Sequence, residues 1–240
     1  MKKNRMVDFI LTNKDVISIL ISFVLCVTTL IATGTNYYLV RKQNQLSEEQ
    51  TKVQRDLSQP VFKISTKFEQ DLDDGKWGTE ILTISNVGHS TSQPCDTDVR
   101  VFFKFIRSDG VKKDSVIASV DDYFNLAYRG NTGDEDVYSA CGQGSNRIYA
   151  NLYHEAVIDG KEGEKRYYYF IEKLVMIKIS YVDIHGESHV KYYNNKIGIT
   201  EGNYNDVITE NVEHHLYFSL KSISYSSLKE ALLSDGLHER

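Results

Sequence analysis

The residues in this chain with the chemistry to bind or react are few, and their spacing decides most of the cases. His185 and His189 stand four apart with Asp183 close by, and His214 and His215 are adjacent. A bound transition metal needs its donors to converge on one point about 2 Å from each. The first pair brackets a turn rather than a helical face, and adjacent side chains in an extended segment point to opposite sides. Both pairs therefore read as solvated surface histidines, and no metal site is expected. Asp134-Glu135-Asp136 lacks the spaced oxygen ligands and glycine of a calcium loop. Gly88-His89-Ser90-Thr91-Ser92 is not the Gly-x-Ser-x-Gly of a nucleophile elbow. Cys141-Gly142-Gln143-Gly144 has no recognisable base, and neither it nor the loop 161–165 completes a phosphate-binding pattern. No catalytic residue and no cofactor is expected.

Aromatic richness is what remains, with 16 tyrosines and 10 phenylalanines. Tyr167-Tyr168-Tyr169-Phe170 and Tyr192-Tyr193 are consecutive, so in a strand half of each group faces the core and half faces out. Outward tyrosines offer contact area at small entropic cost. Tyr167, Tyr169, Tyr192 and Tyr193 are the candidate binding surface, although ordinary sheet packing accounts for such rings without a ligand.

These residues belong to segments that alternate with period two. Phe62, Ile64 and Thr66 alternate with Lys63, Ser65 and Lys67. Leu82, Ile84 and Asn86 form a second run. Val99, Val101, Phe103 and Phe105 face one way while Arg100 and Lys104 face the other. Val175, Ile177, Ile179 and Tyr181 share a face, 183–187 turns, and Val190, Tyr192 and Tyr193 return as a hairpin. Asp73-Asp74-Gly75, Asn86-Val87-Gly88, Asp109-Gly110, Asp159-Gly160 and His185-Gly186 supply turns between strands. The acidic segment 121–146 reads as a long excursion, and 226–233 as a short amphipathic helix before a polar tail. Such a pattern predicts a mainly β fold, an antiparallel β-sandwich, over 60–225.

Ahead of it, no charged residue occurs between Asp15 and Arg41. The apolar run 16–40 is long enough, as a helix, to cross the ~30 Å hydrocarbon core of a bilayer. Tyr37 and Tyr38, followed by Arg41 and Lys42, suit one interface. Ala32-Thr33-Gly34 resembles a cleavage site, but the run is longer than the apolar part of a signal peptide and resumes at Tyr37, so a retained single span is preferred. Lys and Arg tie in number on the two sides. The free amino terminus tips the reading toward a cytoplasmic start and an extracytoplasmic domain. The segment 41–59 is polar and rich in helix formers, a stalk ended by Pro60. Leu39, Leu46 and Val53 repeat every seven residues, with Gln43, Gln50 and Leu57 as companions. A lone solvated helix is preferred over a coiled coil, and a homo-oligomer formed through the stalk is the alternative.

The 240 residues are 41% hydrophobic and 25% charged, a composition of ordered protein, and they divide into a flank (1–15), span, stalk, β domain and tail (226–240). Residues 60–240 hold 20 basic and 28 acidic side chains. That surface repels phosphate backbones, so no nucleic-acid partner is expected despite Lys161, Lys165 and Arg166 beside the tyrosines. Cys26 lies in the span, while Cys95 and Cys141 are paired or free according to the side of the membrane. The span, the Gln/Glu-rich stalk, Pro60-Val61-Phe62-Lys63-Ile64, Ile84-Ser85-Asn86-Val87-Gly88 and Ser180-Tyr181-Val182-Asp183-Ile184-His185-Gly186 together resemble a group of small, uncharacterised bacterial single-pass membrane proteins with a stalk and a β-sandwich. The resemblance implies placement and fold and carries no catalytic residue. The expected role is a membrane-anchored module that binds a protein partner. An enzyme whose carboxylates converge only on folding, for instance over 121–136, and an effector acting through oligomerisation of the span are the alternatives.

Overall fold

The protein is described here by a computed structural model covering residues 12–70, 75, 78–131, 135–162 and 167–235, with no side-chain description at 56, 160–162 and 235. Most of the flank, Asp73, Asp74, Asp134, Lys165, Arg166 and the tail beyond 235 therefore lie outside the described residues. The chain divides into two compact units, Met1–Leu57 and Ser58–Arg240.

The first unit is one helix, α1 (Lys14–Leu57), long and apolar enough to cross a membrane. Nothing interrupts it between the apolar run and the polar stalk. Its hydroxyls bond back one turn, Thr29 Oγ1 to the Leu25 carbonyl at 2.7 Å and Thr33 Oγ1 to that of Thr29 at 2.8 Å, which satisfies them without a partner helix. Asp15 in the first turn and Arg55 in the last complement the helix dipole. The apolar run and the polar stalk are thus one element of 44 residues, about 66 Å long.

The second unit contains two sheets. In the first, β1 (Phe62–Glu69), β2 (Thr79–Asn86), β6 (Asp136–Gly142) and β5 (Leu126–Arg129) lie in the order β1-β2-β6-β5, every pair antiparallel. In the second, β3 (Asp96–Ser108), β4 (Lys113–Asp121), β7 (Tyr168–Val182), β8 (Ser188–Asn194), β9 (Ile197–Ile199) and β10 (Tyr217–Ser219) lie in the order β10-β4-β3-β7-β8-β9. β3 and β7 form its long centre, paired from Asp96 opposite Ser180 to Ser108 opposite Tyr168.

Alternation assigns the faces as the sequence suggests. Val101, Phe103 and Phe105 of β3 meet Val175, Ile177 and Ile179 of β7 in one core with Phe62, Ile64, Leu82 and Ile84 of the other sheet. Burying each large side chain contributes about 1.5–3 kcal/mol. Two helices complete this face. α2 (Ser145–Glu162) adds Leu152 and Ala156, and α4 (Tyr225–Asp235) adds Leu228 and Leu232. The opposite face of the large sheet is covered by α3 (Glu201–His214), whose Tyr204 packs with Phe102, Ile117, Leu174 and Met176. Thr200 caps α3, its hydroxyl accepting from the Asn203 amide, and buried Asn211 clips the helix to the sheet by donating to the carbonyls of Ile117 at 3.1 Å and Leu216 at 3.0 Å.

Several expectations are corrected. The domain is not wholly antiparallel, because β10 runs parallel to β4, and it is not clearly mainly β, because helices take part in both cores. The excursion over 121–146 contains β5 and β6. Asp159-Gly160 lies in the last turn of α2 rather than at a strand turn, and His214 and His215 are the end of α3 and its left-handed cap rather than strand residues. The short apolar spacings of α2 and α3, with β-branched and aromatic residues among them, hid their helical period; burial against the sheets overrides that weak local preference. The 226–233 helix is present as α4, and the 183–187 hairpin turn is where expected.

Asp159 of α2 joins α4 through Lys229 Nζ at 2.6 Å and the Tyr225 hydroxyl. Burial raises the Asp159 carboxyl, but those two donors outweigh it and hold it below its ordinary value. A lowered folded pKa means that the bond stabilises above the unfolded aspartate pKa, about 3.9, and is lost as pH falls through the folded value. Both side chains are about one-third exposed, so the contribution is under about 1 kcal/mol. Hydrogen exchange of the α4 amides should accelerate below about pH 4. Asp159→Asn should loosen α4 at neutral pH and flatten that acid response; an unchanged acid response would show that other carboxyls govern it.

Candidate ligand-binding site

A cavity of about 450 Å³ opens beside the small sheet's edge strand, walled by Phe68 of β1, Leu82 of β2, Tyr149 of α2 and Val175 of β7. Thr66, Glu172, Asn195 and Lys196 also line it, and one group of charges is set among the apolar walls. Glu80, at the start of β2, and Lys173, in β7, both sit on the inward faces of their strands, in phase with Leu82 and Val175. Glu80 is 2% exposed and accepts at Oε2 from the Tyr123 hydroxyl at 2.6 Å and from the Lys173 ammonium. Lys173 Nζ also donates to the Tyr123 hydroxyl at 3.1 Å and lies 5.5 Å from the ring centre of Tyr149.

Local backbone holds these groups in place. Tyr123 follows Asp122, which has a positive φ of 64°, and its carbonyl accepts from Ser145 Oγ at 2.6 Å. Gly142 permits that approach, since a Cβ there would stand 2.4 Å from the Tyr123 carbonyl oxygen. At the cavity mouth Asn195, in the two-residue turn between β8 and β9, accepts from the Val175 amide at 3.0 Å and so fixes the neighbouring Lys196 and Ile197.

The arrangement favours binding over reaction. Burial, with the charge of Glu80, pushes the Tyr123 hydroxyl well above its ordinary range, so it stays a neutral donor. An ammonium has three protons. Glu80 and Tyr123 take two, which leaves one donor for an acceptor brought into the cavity.

The expected tyrosine surface is dispersed. Tyr169 is buried and stacks on Phe105 at 5.7 Å, which corrects its assignment to the surface. The outward rings of β7 are Tyr168, 53% exposed, and Phe170, 43% exposed. The phase follows from Ile171, Val175, Ile177 and Ile179, which share the odd-numbered inward face with Tyr169. Tyr167 is half-buried under the Arg107 guanidinium. Tyr192 donates to Glu201 at 3.1 Å and packs on Tyr204 under α3, while Tyr193 packs against the main core from the other face. Tyr193 lies opposite Ile177, eight residues along β7 from Tyr169, or roughly 26 Å away. The structure does not bring the four into one patch.

Asp121, Asp122, Glu135 and Asp136 are all exposed, and Asp136 accepts from Ser85 Oγ at 2.6 Å. Cys95 and Cys141 are free thiols, and burial pushes both up, which makes them poor nucleophiles. His185 lies beside Ser58 and His189 beside Asp183. Glu80, Tyr123 and Lys173 were absent from the expected site. The available signal was an acidic and a basic residue each on the apolar phase of its strand, where charge is rarely tolerated without a partner.

Compared with family models, with curated proteins and with solved structures, the chain matches none.

Removing one member of a buried ion pair strands the other charge and costs about 3–5 kcal/mol, whereas replacing both with apolar groups is often neutral. Glu80→Leu and Lys173→Met should each lower unfolding stability by that order in denaturant titrations, and the double variant should recover most of the loss. Additive losses would mean that the pair does not interact as the geometry indicates.

Proposed function

We propose that this chain is an integral membrane protein with one span, α1, tethering a β-rich, sandwich-like module that binds a protein partner, with the cavity beside β1 as its contact point. The observation that carries the reading is the uncharged stretch 16–40, which is helical and has no buried residue. No soluble surface sustains so large a continuous apolar face, whereas hydrocarbon solvates it and the helix satisfies its own peptide groups. The cavity supports the second half of the proposal. Its size and walls suit one large apolar side chain, and the spare Lys173 proton suits a carbonyl accompanying it. Tethering confines the module to a surface layer and raises its effective concentration for partners in the same membrane.

An enzyme built on Glu80, Tyr123 and Lys173 is the weaker reading, because the tyrosine is held protonated and the two charges neutralise each other. Self-association through the stalk has one observation in its favour. Leu39, Leu46 and Val53 lie on the exposed surface of α1, each 56% exposed.

Two measurements test the proposal, and a third fixes its topology. Full-length protein should remain in the membrane pellet after alkaline carbonate extraction, and release into the supernatant would overturn the span. Val111, 92% exposed at the β3–β4 turn, is a better topology reporter than buried Cys95 or half-buried Cys141. In a cysteine-free background Val111→Cys should react with an impermeant maleimide on intact cells if the module is extracytoplasmic, and only after permeabilisation if it faces inward. For the cavity, a photo-crosslinking residue at Thr66 should capture a discrete partner in native membranes while the same residue at Val111 does not. Equal capture at both positions would remove the cavity from the interface.

A further inference from the structure

We propose that the β7–β8 hairpin holds one divalent transition-metal ion of the zinc type, with Asp183, Glu187 and His189 as its protein ligands. The hairpin register assembles them. Tyr181 pairs with His189 and Val182 with Ser188, so the next positions, Asp183 and Glu187, stand opposite each other at the turn. Alternation then places all four of 181, 183, 187 and 189 on one side of the ribbon. One donor atom from each of Asp183, Glu187 and His189 lies within 4.8 Å of the other two. Reading His185 and His189 as solvated residues about a turn, with Asp183 close by, left out Glu187, which the hairpin sets opposite Asp183.

Two of the three ligands are already held. Asp183 is 4% exposed, and its Oδ1 accepts the backbone amides of His185 at 2.8 Å and Glu187 at 2.9 Å. That leaves Oδ2 to face His189 Nε2, 2.9 Å away. The His189 ring stacks on Tyr181 with centroids 5.3 Å apart, which fixes its plane. Donors about 2.0–2.1 Å from a tetrahedral ion stand about 3.3 Å apart, so this pair needs to open by only a few tenths of an ångström. Glu187 is exposed, and its carboxylate offers the third donor within 4.8 Å of the other two. Hydrogen bonds to the ligand carboxylate and packing against the ligand imidazole are the outer supports that orient metal ligands before the ion arrives.

Ligand chemistry selects the ion. One imidazole and two carboxylates suit Zn²⁺ and its neighbours, while Ca²⁺ requires six to eight oxygens and copper(I) requires thiolate or thioether. Three protein ligands leave a further coordination position for water or for a donor from a partner.

The test uses full-length protein in detergent micelles, stripped with chelator and titrated calorimetrically with zinc chloride, in parallel with Co²⁺ followed by visible absorption. One equivalent should bind saturably, and the cobalt complex should show ligand-field bands of a four- or five-coordinate site. His189→Ala and Glu187→Gln should each weaken zinc binding at least ~10-fold and remove the cobalt bands. Neither residue supports the turn backbone as Asp183 does, so these two variants stay informative if Asp183→Asn unfolds the hairpin. Absence of saturable uptake, unchanged affinity in either variant, or Ca²⁺ binding as tight as zinc overturns the site.

Discussion

Strand β7 is fifteen residues long and apolar on both faces through its middle, and that double burial is the constraint on which the rest of the second unit rests. Leu174 and Met176 point away from Val175 and Ile177, so one layer cannot cover the strand. The small sheet with α2 and α4 closes one face, and α3 closes the other. A sandwich of two sheets leaves the outer faces wet, as an alternating strand allows. A strand with a continuous buried run does not, which is why helices enter a domain whose strands otherwise read as sheet on sheet.

The same inward phase carries the charges that shape the cavity. Glu80 and Lys173 would each be costly alone in an apolar interior. Their strands belong to different sheets, so the pair exists only where the sheets approach each other, and it bonds across that gap with Tyr123 between. The pocket therefore has apolar walls beside a compensated, buried charge group. A reactive site would instead need a group able to change its protonation during turnover. Tyr123, pushed up by burial and by a neighbouring carboxylate, is the reverse of that.

Hairpin geometry explains why Glu187 joins Asp183 and His189 although spacing along the chain does not single it out. Linear spacing ranks residues by their neighbours on one strand, but a turn makes neighbours of residues equally distant from its centre. Asp183 contributes twice, closing the turn with one oxygen and facing His189 with the other. Those amide donors and His189 hold its carboxyl below the ordinary range in spite of burial.

Much of the layout was legible in the residues alone. The uncharged run ahead of Arg41 dictates a long apolar helix, and period-two alternation located β1, β2, β3 and the β7–β8 hairpin with their faces, because these patterns are local and depend on backbone geometry. The inward phase of Glu80 and Lys173 was present in the same patterns, and so was the burial of Tyr169, in register with Ile171 and Val175. Tertiary structure decided what the local pattern leaves open. α2 and α3 are helices because sheet faces need covering, β10 runs parallel to β4 because the chain returns over α3, and Glu80 meets Lys173 because two sheets share a core. Each of these joins segments far apart in sequence, and a pairing of that kind is set by burial in three dimensions, which no spacing along the chain encodes.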